Sequence, residues 1–225
     1  MSELFPNASA LWPEFIQAFQ ETCIMLVWSG SLSFLGGLVL GITLVVTKKN
    51  GLYENPKLHQ ILGFMINLFR SIPFIILLTW VMPVSRLMMG TAIDLKGAIV
   101  PLILGTIPFF SRQVESALSA VPYGLVEAAK AMGDSGPAII FRVYLKESIP
   151  LLARAVTITL VSLLGLTAMA GAVGSGGLGD FAIRYGHDRN MQDITWLVVA
   201  VIVLMVSLIE LTGQIVIRRY AAQQQ

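Results

Sequence analysis

The sequence has 225 residues, of which 56% are hydrophobic and only 12% charged, with a formal net charge of +2. Soluble domains carry roughly 25% charged residues, so this composition excludes disorder and argues against a water-soluble domain. The near-neutral balance offers no footprint for nucleic acid, and the single cysteine, Cys23, can neither close an internal disulfide nor build a metal site alone.

A bilayer core takes about 20 apolar residues per helix. The stretch before the first apolar run, residues 1–21, holds Glu3, Glu14 and Glu21 but no Lys or Arg. A cleaved signal peptide has a basic start, so an external segment leading into a retained membrane helix is expected. Apolar runs then predict five spans, at 22–47, 58–82, 93–110, 151–173 and 194–217. Lys48-Lys49-Asn50-Gly51 stops the first, Pro83 follows the second, and Arg218-Arg219-Tyr220 stops the fifth. Pro101 and Pro108 lie within the third. Within the first, Gly37-Leu-Val-Leu-Gly41 permits close approach of another helix. The predicted class is an all-α integral membrane protein with five transmembrane helices.

Basic residues set the orientation. With the N-terminus outside, the inner segments hold Lys48, Lys49, Lys57, Arg112, Lys130, Arg142, Lys146, Arg218 and Arg219. The outer segments hold Arg86, Lys96, Arg184 and Arg189. This bias places the C-terminal tail, 218–225 with its Gln223-Gln224-Gln225 end, in the cytoplasm. The long loop at 111–150 is then cytoplasmic and the segment best placed to meet a soluble partner.

That loop reads as two helices. Pro122 suits the first turn of one and Gly133 the position just past its end. Helical spacing puts Leu125, Ala128, Ala129 and Met132 on one face, with Glu127 and Lys130 elsewhere. A second helix can start at Pro137, capped by Asp134 or Ser135. The pair is either a rigid knob in the cytosol or an amphipathic helix on the bilayer surface.

Glu127-Ala128-Ala129 followed by Gly133 resembles the EAA loop of ABC importer permeases, whose pattern is E-A-A-x3-G-x9-I-x-L-P. Val143 and Leu145 fit its second half, and Lys146 departs from the family's proline. Two further stretches narrow the resemblance to methionine importer permeases, the MetI family. They are Asn67-Leu-Phe-Arg70-Ser71-Ile72-Pro73-Phe-Ile-Ile-Leu-Leu and Ala168-Met169-Ala170-Gly171-Ala172-Val173-Gly174-Ser175-Gly176-Gly177-Leu178-Gly179. The similarity extends over roughly Glu21 to Arg219. It implies a type-1 ABC permease domain over 22–217, with the 111–150 loop as a coupling loop. Glu127, Ala128, Ala129, Lys130, Met132 and Gly133 would then contact a separate cytoplasmic ATPase. The resemblance also implies two permease copies, an ATPase pair that binds ATP and Mg, and an external binding protein or lipoprotein. Methionine is the implied cargo, of either hand. The implied location is a bacterial cytoplasmic membrane, the inner membrane where there are two.

Without the family, the same stretches still ask for an explanation. Arg70 lies midway along the second span, where a charge costs roughly 2.5–3.5 kcal/mol on insertion scales. With Ser71 and Pro73 it marks a bent helix and a polar spot. That spot is a pathway or gating element, or a structural anchor pairing with Glu210 or with freed carbonyls. Five glycines between Gly171 and Gly179 should unwind the fourth span near its outer end. Unwound backbone at membrane depth lines a path or packs in protein, so Met169, Gly171, Gly174 and Ser175 are candidates for an outer gate or a tight structural turn.

Other motifs dissolve on inspection. Gly174, Gly176 and Gly179 satisfy G-x-G-x-x-G, but a membrane helix rather than a strand precedes them. Ser175 with His187 is no hydrolase pair, because Val173 occupies the first glycine position of G-x-S-x-G. His59 and His187 have no neighbours at ligand spacing, so no metal or cofactor is expected in this chain. The 225 residues contain no Walker A sequence, so hydrolysis of ATP is expected elsewhere and the chain is read as a non-enzyme. The residues leave open a permease for another small solute, a membrane-embedded enzyme and a passive channel.

Overall fold

In lipid a backbone must satisfy its own polar groups, which favours helices for runs this apolar. The computed structural model describes residues 6–221, and its regular elements there are all helical. Glu3 and the Gln223-Gln224-Gln225 tail lie outside the described residues. In chain order they are α1 (Pro6–Ala10), α2 (Trp12–Thr47), α3 (Pro56–Ser71), α4 (Phe74–Met89), α5 (Leu95–Ser119) and α6 (Tyr123–Ala131). Then come α7 (Gly136–Ile139), which runs into a π-helical stretch (Ile140–Leu145), and α8 (Ile149–Gly171). Last are α9 (Gly177–Phe181), followed by a second π stretch (Ala182–His187), and α10 (Gln192–Ala221).

Helices α2, α5, α8 and α10 are each long and apolar enough to cross a membrane, and α3 with α4 makes a fifth span if the bent pair is counted as one. Three boundaries differ from those read in the sequence. The first helix begins at Trp12, ten residues before the expected Thr22, because Glu14 and Glu21 fit a helix that extends past the apolar run. The span expected at 58–82, with a bend at Pro73, is two helices bent there by 107°. Pro73 lacks an N–H and disfavours helix at Ile72, so the chain breaks there and α4 restarts on the Pro73 carbonyl. Pro83 does not end the span; α4 passes through it to Met89 and stops at Gly90 in a left-handed turn. The third boundary is the loop start. Helix α5 runs through Pro101 and Pro108 and continues past 110 to Ser119, well into the expected loop.

The described residues divide into two compact units. One comprises residues 6–32, 72–106 and 160–209. It is packed around Met25, Leu78, Leu102 and Leu163, and around Phe15, Phe181 and Ile194, whose side chains are all buried. The other comprises 33–71, 107–159 and 210–221. Its core joins Val45, Phe110, Val114 and Leu118 to Val126, Ala129, Ile139, Tyr144 and Ala155. Here the Gly37/Gly41 pair meets α5. A Cβ on Gly41 would lie 2.5 Å from the Val114 Cβ, and one on Gly37 would lie 2.8 Å from Phe110. Beside them the Phe34 and Phe110 rings pack edge to face at 4.8 Å.

Candidate functional site: a loop helix and a glycine-rich turn

Helix α6 has two unlike sides. Val126 and Ala129, one turn apart, are buried at 1% and 2% exposure in the core of their unit. The expected face of Leu125, Ala128, Ala129 and Met132 is therefore not the buried one. Of those four only Ala129 faces the core, while Leu125 is 44% and Met132 77% exposed and Ala128 is exposed too. The anchoring residue that the sequence reading passed over is Val126, one turn before Ala129. Leu125, Ala128 and Met132, three and four residues apart, form an apolar strip open to solvent. Glu127 and Lys130 are also exposed, and the Lys130 ammonium sits 5.9 Å over the Tyr123 ring.

The end of α6 explains Gly133. The Gly133 N–H donates to the Lys130 carbonyl at 3.0 Å and the Asp134 N–H to the Ala129 carbonyl at 3.1 Å. Together these bonds make the Schellman arrangement, which needs a left-handed residue at the first position past the cap. Gly133 supplies it with φ +85°. Gly133 thus shapes the knob by stopping α6. Ser135 then precedes α7 with extended backbone, though its hydroxyl makes no capping bond. Gly136 passes so close to the Tyr53 hydroxyl that a Cβ there would collide with it. At the loop's far end the fully buried Ser148 hydroxyl donates to the Ala117 carbonyl of α5 at 3.2 Å. Burial raises the Tyr144 hydroxyl above the usual tyrosine range, and Tyr123 adds to the effect.

The glycine-rich turn lies in the other unit. Helix α8 stops at Gly171, and α9 restarts at Gly177. A Cβ on Gly171 would lie 2.5 Å from the Asp180 amide nitrogen, so the turn folds back closely on α8. Two side chains of α2 hold the start of α9. The Glu21 carboxylate accepts the Gly177 N–H at 2.7 Å, and the Thr22 hydroxyl accepts the Leu178 N–H at 2.8 Å. Ser175 is buried, and its N–H donates to the Ala170 carbonyl. Gly174 is exposed and Met169, on the last full turn of α8, is 42% exposed. Asp180 pairs with Arg184, yet burial raises its carboxyl above the ordinary range, with Arg184 opposing and Glu21 reinforcing.

Arg70 and Ser71 end α3, and Pro73 begins α4. The Ser71 hydroxyl bonds back to the Asn67 carbonyl. Arg70 is exposed and pairs with no carboxylate among the described residues, so of the alternatives left open by the sequence the pair with Glu210 is not formed. The tied-down arginine is Arg112. Its guanidinium meets Glu115 at 2.6 Å and the Gly63 carbonyl and Asn67 amide oxygen at 3.0 Å each. The His59 Nδ1 lies 3.1 Å from the Leu44 carbonyl, which can only accept, so this is a structural contact made by the ring N–H. No group of three or more potential metal ligands occurs among the described residues.

The model of the family described as "binding-protein-dependent transport system inner membrane component" matches residues 14–220. A Vibrio cholerae protein named "Probable D-methionine transport system permease protein MetI" is 47% identical over 204 residues, 91% of each chain. The Bacillus subtilis "Methionine import system permease protein MetP" is 37% identical over 214 residues, 94% of this chain and 95% of its own. Among solved structures, an inward-facing conformation of the MetNI methionine ABC transporter superposes with a TM-score of 0.91 at 41% identity. It covers 94% of this chain and 98% of the matched one.

Proposed function

This chain belongs to the family of binding-protein-dependent transport system inner membrane components, and from that premise we propose that it is the membrane-spanning subunit of a methionine importer. Two copies form the pathway, since five spans are few for a complete gated route and a symmetric pair doubles them. The N-terminus is outside and the C-terminus cytoplasmic, as the basic residues favour. A cytoplasmic ATPase pair binds ATP and Mg, and a binding protein delivers methionine from outside.

The observation that carries this reading is the two-sided α6. Val126 and Ala129 fasten it to a packed core while Leu125, Ala128 and Met132 stay open beside Glu127 and Lys130. A helix fixed on one side and apolar on the other can transmit a push from a docked partner without melting. ATP binding draws the ATPase pair together, α6 is displaced, and the membrane helices rock between outward and inward access. The break at Ile72–Pro73, with Arg70 and Ser71 before it, absorbs part of that motion. The turn at Met169 to Ser175 opens and closes the outer mouth. Met169 is unbranched and polarizable, so it can repack at a narrowing.

The test is uptake of labelled L-methionine into vesicles holding the chain with its ATPase and binding protein. ATP-dependent uptake competed by excess methionine, and lost with a hydrolysis-dead ATPase, supports the function. An assembled complex that hydrolyses ATP without moving methionine overturns the cargo. Flux that needs no ATP overturns the mechanism in favour of a channel.

A further inference from the structure

The unit that holds α6 also holds an open cavity of about 240 Å³ between α5 and α8, in which Ser116, Ala120, Leu151, Arg154 and Ile158 are exposed. Its polar lining is Gln113, Ser116 and Arg154; Leu151, Ile158 and Ala120 are among its apolar walls. No acidic side chain lines it. None of the three polar side chains has a hydrogen-bond or ionic partner within the described chain.

Arg112, one residue before Gln113 on α5, makes the contrast. Its guanidinium is answered by a carboxylate, a carbonyl and an amide oxygen. Arg154 is exposed and has no such partner among the described residues, and it stands five residues into an apolar helix, about 7.5 Å along its axis. A charge on a spanning helix is ordinarily paired or turned toward water or a ligand. The larger cavity of the other unit, about 350 Å³, holds acidic side chains and answers most of its charges. There Glu21 accepts from Gln17 and Gly177, Asp94 from the Lys96 and Gly97 N–H groups, and Asp180 pairs with Arg184.

A guanidinium fork with no carboxylate of its own suits an oxyanion. Resting on the proposed amino-acid cargo, we propose that this cavity is an inner binding site for the zwitterion, with its α-carboxylate on Arg154. The Gln113 amide oxygen and the Ser116 hydroxyl accept from the ammonium. The aliphatic chain lies along Leu151 and Ile158. Neutral acceptors bind the ammonium loosely, so the site holds its ligand weakly enough to release it inward.

The experiment uses the whole complex, without ATP, in bilayers. Ala120→Cys in a Cys23→Ser background reports the cavity through its rate of reaction with a maleimide. L-methionine at millimolar concentration is expected to slow labelling about threefold or more, the occupancy of a weak charge-assisted site. Methioninamide, which lacks the carboxylate, should not. Arg154→Gln should abolish protection and Arg154→Lys should retain part of it. The competing source of an oxyanion is lipid phosphate, so labelling is compared in phosphatidylcholine alone and with phosphatidylglycerol added. Protection by phosphatidylglycerol but not by methionine overturns the site, as does protection that survives Arg154→Gln. Uptake by the same complex is read separately. Uptake without protection refutes this site and leaves the transport function standing, whereas protection without uptake does the reverse.

Discussion

Replacing Gly133 with a graded series isolates what the end of α6 does. Its φ of +85° is the whole constraint, because a Cβ there would meet nothing within 4 Å. Steric crowding therefore contributes nothing, and only backbone strain remains. For an ordinary L-residue that strain is roughly 1–2 kcal/mol, less for Asn and more for a β-branched residue. The expected order of damage is Gly, Asn, Ala, Val. The chain escapes the strain by giving up the bonds from Gly133 to Lys130 and from Asp134 to Ala129, which frays the last turn of α6 at Met132. If ATPase docking requires the capped form, an equilibrium shifted by 1–2 kcal/mol weakens the apparent affinity by about 5- to 30-fold at most. The assay titrates purified ATPase against the chain in nanodiscs and measures methionine uptake in parallel. Thermal stability of the chain alone should hardly change, since a frayed last turn leaves the buried side chains of Val126 and Ala129 in their core. Equal affinities for the Gly, Ala and Val forms would refute the reasoning. So would an Asn form as weak as Val, because that pattern requires a lost contact rather than a strained backbone.

Three further outcomes follow from the packing. Gly41→Ala should destabilise the purified chain in detergent by about 1–3 kcal/mol, because its Cβ would sit 2.5 Å from the Val114 Cβ; Val114→Ala in the same chain should recover part of the loss, and additivity of the two would contradict direct contact. Thr22→Val keeps the shape but leaves the Leu178 N–H without its 2.8 Å acceptor at the start of α9. The cost should be about 1–2 kcal/mol, with faster hydrogen exchange at residues 176–179, and an unchanged exchange rate would show that the cap is dispensable. Asp180→Asn tests the buried carboxyl of the same segment. A raised folded pKa means the folded state holds the proton more tightly, so this group's contribution is fully present below the unfolded pKa and is lost as pH rises through the folded one. The melting temperature of Asp180→Asn relative to the parent should therefore climb as pH rises above the ordinary carboxylate range, and a gap that shrinks with pH would mean the Arg184 pair outweighs burial.

The spans were legible because their signal is redundant: twenty apolar residues in a row need no partner to be recognised. Their ends were less so. Nothing local tells a reader that α5 runs on to Ser119, because Arg112, Gln113, Glu115 and Ser116 look like a loop until the oxygens that meet Arg112 are known. Two of those oxygens belong to Gly63 and Asn67, far back in the chain, and sequence spacing cannot place them. Pro73 and Pro83 make the same point from the other direction. Both have the same intrinsic effect on a helix, yet one sits at a 107° break and the other inside a continuous α4. Which proline breaks depends on what can take up the freed carbonyl. The knob was readable in outline, from Pro122 to Gly133, since turn chemistry is local. Its facing was not. Val126 and Leu125 are adjacent and equally apolar, and only the position of Ile139 and Tyr144 against α6 makes Val126 the buried one. Arg154 was invisible for a related reason. An unpaired arginine declares itself only when its neighbours are known to be elsewhere, and the neighbours that leave it free are fixed by the packing of α5 against α8 rather than by any motif.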